Sequence, residues 1–397
     1  MADKNNDLPI LIIGAGIAGL TLAQALRLRS IPFRLFERNT ESYNVQGHRF
    51  RITGECVVAL VPVLLPLCKE LFLRTGPDRT PWEPRYVDAQ SLSFPPKIAA
   101  RELGSSKPVD RSWFRMILTH GVEDAIEYGK ELSSYEVDDT GTVHVHFLDN
   151  SSAHGNLLVG ADGIKSRVRS QLQPDRRLLD LERWIMWGRT PLTDKLQARL
   201  PEDIFTWFMA ADKENNSQLI VEPMTWDRDT RDASQGRLPM FESYIYWALS
   251  CSQDSATELP RSIDEKRALL QKVTKTWNKS LQLLLDSAFH EWSACAPALS
   301  SKPVIEMKLA KPPDKVTIIG DAAHAMSPMG GLGADTAIHS AIDLAMTLSK
   351  ASSSEKEIGE FEARMAARAK EKILYSFKGG QRYWQGREWT QYKETNF

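Results

Sequence analysis

A chain of 397 residues is long enough for roughly two domains and a sizeable core. Hydrophobic residues make up 42% and charged residues 25%, and the net charge of −1 gives no electrostatic case for a nucleic-acid partner. Cys56, Cys68, Cys251 and Cys295 lack zinc-like spacing, so the simplest expectation is a reduced, cytoplasmic chain with no metal site.

The opening MADKNNDLP has no apolar signal-peptide core. Leu8 to Glu37 reads as strand, turn, helix and strand. Ile10 to Ile13 forms the first apolar run, and Leu20, Leu22, Ala23, Leu26 and Leu28 populate the helix. Phe33 to Phe36 is the second strand, ended by Glu37. The apolar stretch from Cys56 to Cys68 is broken by Pro62 and Pro66 and is too short for an integral membrane span. Pro, Arg and Trp crowd the segment from Thr75 to Pro108, as in a loop-rich insertion. A helix is predicted over Arg111 to Lys130. After a hairpin turn at Asp138 to Gly141, Val143, Val145 and Phe147 alternate with His144 and His146. Alternation explains the two histidines as a solvated face better than as metal ligands.

Trp184–Trp187, Ile204–Met209, Gln218–Val221 and Tyr244–Leu249 read as strands dense in aromatic residues. Alternation allows only one of Tyr246 and Trp247 to face a ligand, without saying which. Ser262 to Glu265 is a capping box opening a helix through Trp277. Val316 to Ile319 returns to strand, a helix starts near Gly333, and Ile358, Phe361, Met365, Ala369 and Ile373 mark a last amphipathic helix.

Three of these junctions carry chemistry. Gly14-x-Gly16-x-x-Gly19 follows a strand and opens a helix, so its glycines permit a tight turn, approach to a pyrophosphate and close packing. Glu37 stands where a carboxylate accepts from ribose hydroxyls. These residues do not separate NAD from FAD. Gly160-Ala161-Asp162-Gly163 ends a second strand before another helix start at Ser166. Gly320-Asp321 ends a third, followed by Pro328, Gly330, Gly331 and Gly333; this places one carboxylate and one positive helix end at the same ligand.

GAGIAG, GADGIKSRVR and GDAAHAMSPMGGLGAD, in this order, resemble the three fingerprints of the class A flavoprotein monooxygenases, the para-hydroxybenzoate hydroxylase and salicylate-hydroxylase-like family. The resemblance implies an α/β fold: a Rossmann-like FAD-binding domain with a mixed β-sheet substrate domain. Its segments would be 1–75, 101–180 and 301–352 for FAD and 76–100 and 181–300 for substrate. A C-terminal helix and tail would follow over 353–397. The implied activity is NAD(P)H- and O2-dependent hydroxylation or epoxidation of an aromatic or polycyclic small molecule, in secondary metabolism, by a monomer or homodimer. An oxidase or cyclase on the same scaffold, or a protein with structural FAD, is the alternative. Trp184-Ile185-Met186-Trp187 does not match the halogenase motif of related scaffolds.

By this resemblance FAD is held by Gly14, Gly16, Ile17, Ala18, Gly19, Glu37, Arg38, Arg51, Arg115, Asp162, Asp321, Pro328, Gly331, Gly333, Ala334 and Asp335. The Arg115 helix and the segment Gly47 to Arg51 match family stretches that run beside FAD. No catalytic residue is assigned; the candidates are Arg51, Arg189, Tyr246 and Pro328. Arg49 and Arg51 are open between pyrophosphate, an anionic substrate and neither. His324 is expected to be structural. Two positions depart from the family pattern: Asp335 replaces the usual Asn, and Ser340 the usual Asp. A carboxylate at Asp335 would compete with an anionic reduced flavin for the helix end; a cap pointing away from the flavin is the other reading.

Overall fold

The computed structural model describes residues 8–41, 49–79, 81–100, 106–256, 258–305, 315–349 and 355–395. Gly47 and His48 lie outside them. Five parallel strands form one sheet, in the order Val316–Ile318, Leu157–Gly160, Ile10–Ile13, Phe33–Glu37 and Ile126–Tyr128. Ile10–Ile13 and Leu157–Gly160 are buried at every position, because helices or strands cover both faces of a parallel sheet. The register matters for function. Ile13 lies opposite Gly160, and Gly160 opposite Ile318. The three junctions read from the sequence therefore leave the same edge of three adjacent strands, the carboxyl edge at which open α/β sheets bind ligands.

A second, seven-stranded sheet is mixed. Its order is Ala294–Ser300, Leu178–Pro191, Tyr244–Ser252, Ser217–Met224, Phe208–Asp212 and Arg85–Asp88, and Lys393–Thr395 pairs with the start of Leu178–Pro191. Only the Phe208–Asp212 and Arg85–Asp88 pair is parallel. One face is sealed by helices: Leu219, Val221, Ile245, Trp247 and Leu249 share a core with Leu269, Leu281 and Leu284 of helices Ile263–Val273 and Lys279–Asp286. That settles the alternation at Tyr246 and Trp247. Trp247 is fully buried on the helix side, and Tyr246 points the other way.

The last helix, Glu355–Trp384, buries Ile358, Phe361, Met365, Ala369 and Ile373 as its spacing predicts. Its first half joins the core of the parallel sheet and its second half a core with Leu179, Leu181 and Ile185 of the covering sheet. Near its end Tyr383 stacks on Tyr86, the rings 5.6 Å apart and 1° from parallel.

Some predicted elements differ. The helix expected over Arg111 to Lys130 ends at Thr119, and the strand Ile126–Tyr128 follows. Gly121, at φ +78°, turns the chain between them. Glu202–Phe205 is a 3-10 turn, so the strand expected from Ile204 begins at Phe208. The capping box at Ser262 forms, but its helix stops at Val273. His144 lies 3.0 Å from Asp138 Oδ2 and His146 3.6 Å from Glu136. Among the described residues no helix is long and apolar enough to cross a membrane.

Candidate active site

The first turn is built by its own glycines. Gly14 has φ +106°, and a Cβ there would lie 2.5 Å from the Ala161 carbonyl oxygen. A Cβ on Gly19 would overlap the Gly14 carbonyl. Gly16 is different: nothing stands within 4 Å of its Cβ position. The protein does not itself require that glycine, so the space in front of it is where an incoming group fits. Helix Ile17–Leu28 has no side-chain cap at Gly16, so the N–H groups of Ile17 and Ala18 are offered to a phosphate.

Glu37 is 7% exposed and already organises the turn. Its Oε2 accepts from Ala15 N at 2.9 Å, and its Oε1 accepts from the Asn39 backbone and side chain. Arg115 reaches the same place, donating through Nε to the Ala15 carbonyl at 3.2 Å. Arg38 is exposed just after the strand. Asp162 uses one oxygen to hold the next helix start, accepting from Arg167 N at 2.7 Å. Its Oδ1 is buried without a partner, and burial raises the pKa of the carboxyl.

Asp321 follows Gly320, whose φ is +62°. The Asp321 side chain is accessible, yet the surrounding protein raises its pKa, opposed by Arg111 and Arg169. Asp321 thus stands exposed at the carboxyl edge of the sheet with two cations near it. Behind it, Arg169 donates to Ala322 O at 3.1 Å and to Ile164 O at 2.6 Å, and Arg176 donates to Ala323 O. These arginines satisfy the free carbonyls at the end of the short helix Asp321–His324 and so fix Asp321. Their roles carry no spacing signal; Arg169 lies inside the GADGIKSRVR motif, but its target is distant in sequence.

Helix Gly333–Leu348 also starts without a side-chain cap. Pro328 is exposed, Gly331 adopts φ +64°, and no side chain caps the first N–H groups of the helix, those of Gly333 and Ala334. Asp335 is 6% exposed and held by a neighbour: Thr53 donates to it through Oγ1 at 2.6 Å and through its backbone N at 3.2 Å. Thr53 in turn caps helix Gly54–Leu60. Two helix N-termini thus converge on this carboxyl, whose pKa burial raises. His324 is fully buried, bonded through Nε2 to Ser340 Oγ at 2.8 Å, and burial lowers its pKa to about 4. A neutral imidazole needs no anionic partner, which accounts for Ser340 in place of Asp.

Arg51 and Arg49 turn toward the covering sheet. Both form ion pairs with Glu222, and Arg51 also donates to Ser106 Oγ at 2.6 Å. Arg189 and Tyr246 lie opposite each other on that sheet, and Tyr246 lies opposite Glu222. Arg51 and Arg189 are therefore brought near Tyr246, away from the glycine turn. Glu222 escaped sequence reasoning; its one signal is a lone charge within the strand Ser217–Met224.

The donor set fits an extended dinucleotide: two uncapped helix ends, a turn carboxylate at Glu37 and an exposed carboxyl at Asp321. The profile of an FAD binding domain family matches residues 118–371, and that of an NAD(P)-binding Rossmann-like domain matches residues 12–61. A dual O-methyltransferase/FAD-dependent monooxygenase of Phaeosphaeria nodorum, elcB, is 30% identical over 94% of this chain and 45% of its own. The chain thus spans about half the length of the first such relatives. A phenazine 1,6-dicarboxylic acid hydroxylase of Lysobacter antibioticus, PhzS, is 27% identical over 89% of this chain and 85% of its own. A crystal structure from Photorhabdus luminescens, named as an FAD containing monooxygenase, superposes with a TM-score of 0.80 at 26% identity, covering 96% of this chain and 99% of that one. With the fold, the three fingerprints and the family profile in agreement, the chain belongs to the FAD binding domain family of class A flavoprotein monooxygenases.

Proposed function

We propose that this protein uses NAD(P)H and O2 to hydroxylate or epoxidise an aromatic or polycyclic small molecule, in secondary metabolism. The observation that carries the reading is the convergence of Gly14–Gly19, Asp162 and Asp321 on one sheet edge, with an aromatic sheet face beside it. Bound FAD would supply the redox chemistry, accepting a hydride from NAD(P)H and passing one atom of O2 to the substrate.

The chain's own residues bind, orient and enclose. Ile17 and Ala18 N–H groups would hold the pyrophosphate at the positive end of their helix. Glu37 and Asp321 would accept from the ribose and ribityl hydroxyls, and Asp162 steadies the start of the helix after Gly163. Gly333 and Ala334 present a second positive helix end, which favours negative charge on the flavin side of the cleft. Tyr246 and Arg189, with Trp207 whose ring lies 4.2 Å from the Arg51 guanidinium, form part of the wall against which a planar substrate would lie. Covering that space excludes water from the reacting centre.

The test is direct. Purify the protein, measure bound FAD, and follow flavin bleaching by NADPH and NADH with and without aromatic candidates. The expected result is ligand-stimulated bleaching and a product heavier by one oxygen atom. FAD that is never bleached would refute the monooxygenase reading.

A further inference from the structure

Helix Arg167–Leu172 stops at Gln173, because the residue before a proline is pushed out of the helical region. The chain then turns, with Arg176 N donating to Gln173 O at 3.0 Å, and enters strand Leu178–Pro191. Strand Lys393–Thr395, near the far end of the chain, pairs with Leu178 to Asp180. Helix, turn and strand enclose a pocket of about 160 Å³. Arg169, Arg176 and Arg177 line it together with the hydroxyl residues Ser170 and Thr395; among the described residues no carboxylate does. A second pocket of about 300 Å³ shares Arg176 and Arg177. There Lys302 pairs with Glu394 at 2.5 Å, and Asp175 is exposed.

The charge in the first pocket is one-sided. Arg169 is 4% exposed and bonds to Ala322 O and Ile164 O. Arg176 bonds to Ala323 O and to Gln173 Oε1, and Arg177 to Pro174 O. All of these partners are neutral amide oxygens. Asp162 and Asp321 favour the charge of Arg169 through space, but the charge that Arg176 meets is that of Arg169. Burial and this like charge lower the pKa of Arg176 to about 10, so it stays ionised at neutral pH. Buried cations are as a rule paired with an anion. Amide oxygens satisfy the N–H groups here and leave the charge unmatched. Arg169 and Arg176 also hold the carbonyls that follow Asp321, so the pocket backs onto the carboxyl edge of the parallel sheet.

We propose that this pocket binds a phosphate dianion through Arg169, Arg176 and Arg177. A phosphate brings the double negative charge that three guanidiniums lack, and its oxygens match their planar forks of donors. Two sources share this chemistry: free phosphate and the 2′-phosphate of NADPH. The second source rests on the monooxygenase reading, whereas the first does not. Arg177 is the residue that isolates the site. Its one bond is to its own turn, so it can be changed without touching the support of Asp321.

The experiment is an isothermal titration of inorganic phosphate into FAD-loaded protein, in chloride buffer of constant ionic strength. Saturable binding with a dissociation constant of about 1 mM or tighter is expected. Arg177→Gln should weaken it about tenfold, the worth of one charged hydrogen bond, and Arg177→Glu should abolish it. Steady-state rates then name the source. Phosphate that competes with NADPH but not with NADH, with an NADPH KM raised about tenfold in Arg177→Gln and the NADH KM unchanged, assigns the pocket to the coenzyme. Phosphate that binds and leaves both KM values unchanged assigns it to the free ion. No saturable binding, or equal phosphate affinity in the wild type and Arg177→Glu, would overturn the proposal. Flavin that neither coenzyme bleaches would instead overturn the monooxygenase reading, and the phosphate titration would still judge the pocket.

Discussion

The two glycine turns of the site are built in opposite ways. The turn from Gly14 to Gly19 is self-contained: Gly14 and Gly19 are required by atoms of the turn itself and of the adjacent strand end. The turn from Pro328 to Gly333 leans on the far end of the chain. A Cβ on Gly330 would overlap Ser376, and a Cβ on Gly379 would lie 2.8 Å from the Met329 carbonyl oxygen. On the proposed placement of FAD, its adenosine end would be fixed by local backbone geometry. Its flavin end would be fixed by where helix Glu355–Trp384 comes to rest. Identical residue types serve a folding demand in one place and a docking demand in the other.

The strongest test of the contrast is Gly19→Ala. The added methyl has no room, and we expect a loss of about 3 kcal/mol in stability with FAD binding abolished, read by thermal unfolding and flavin content. Survival of both would break the claim that this turn is closed by its own atoms.

Next in size is a pH effect at the support of the flavin end. Glu362 on the last helix is 4% exposed, accepts from Thr317 Oγ1 at 2.7 Å, and burial raises its pKa to about 7 from an ordinary 4.5. The folded state therefore binds this proton more tightly than the unfolded state. Its contribution is complete below about pH 4.5 and is lost as pH rises through 7, by up to about 3 kcal/mol. Thermal unfolding from pH 5 to 8 should decline less in Glu362→Gln than in the wild type. Parallel curves would sink the assignment.

Gly379→Ala should cost about 1–3 kcal/mol and displace the Met329 carbonyl. Slower flavin reduction with FAD content kept would separate the two turns. Gly16→Ala is gentler on the fold, within about 0.5 kcal/mol, because nothing occupies that space. FAD affinity should fall by about tenfold, the worth of one weakened charged hydrogen bond. Isothermal titration reads both terms. The smallest effect is expected at Asp335→Asn. Removing a carboxyl from a helix end should raise the flavin midpoint potential by about 10–20 mV. No rise would leave Asp335 as a clamp for Thr53 alone.

Much of this was legible from residue order. Short apolar runs ending in Gly, and glycines spaced for a helix start, are local signals, and they located the junctions at Gly14, Gly160 and Gly320. That Tyr246 rather than Trp247 faces the cleft was not legible. Alternation defines two faces, and only the packing of Leu281 and Leu284 against one of them decides which is core. Glu222 was hidden for a related reason: its partners Arg49 and Arg51 stand on a different sheet, far away in sequence. The helix predicted from Arg111 to Lys130 overshoots because Val122, Ala125 and Ile126 continue the helical apolar spacing of Leu118, whereas the helix ends at Thr119 and Gly121 turns the chain at positive φ.

The pairing of His324 with Ser340 has a kinetic consequence. Imidazole is the side chain most able to change charge near neutrality. Here it is enclosed, uncharged and bonded to a hydroxyl, so it will remain in one ionic form through the range in which a solvent-exposed histidine would switch. A rate profile measured between pH 5.5 and 8.5 should therefore carry no inflection from this residue. A histidine three residues from Asp321 is thus held as a neutral spacer, and any pH dependence of turnover falls to groups that meet the ligand directly.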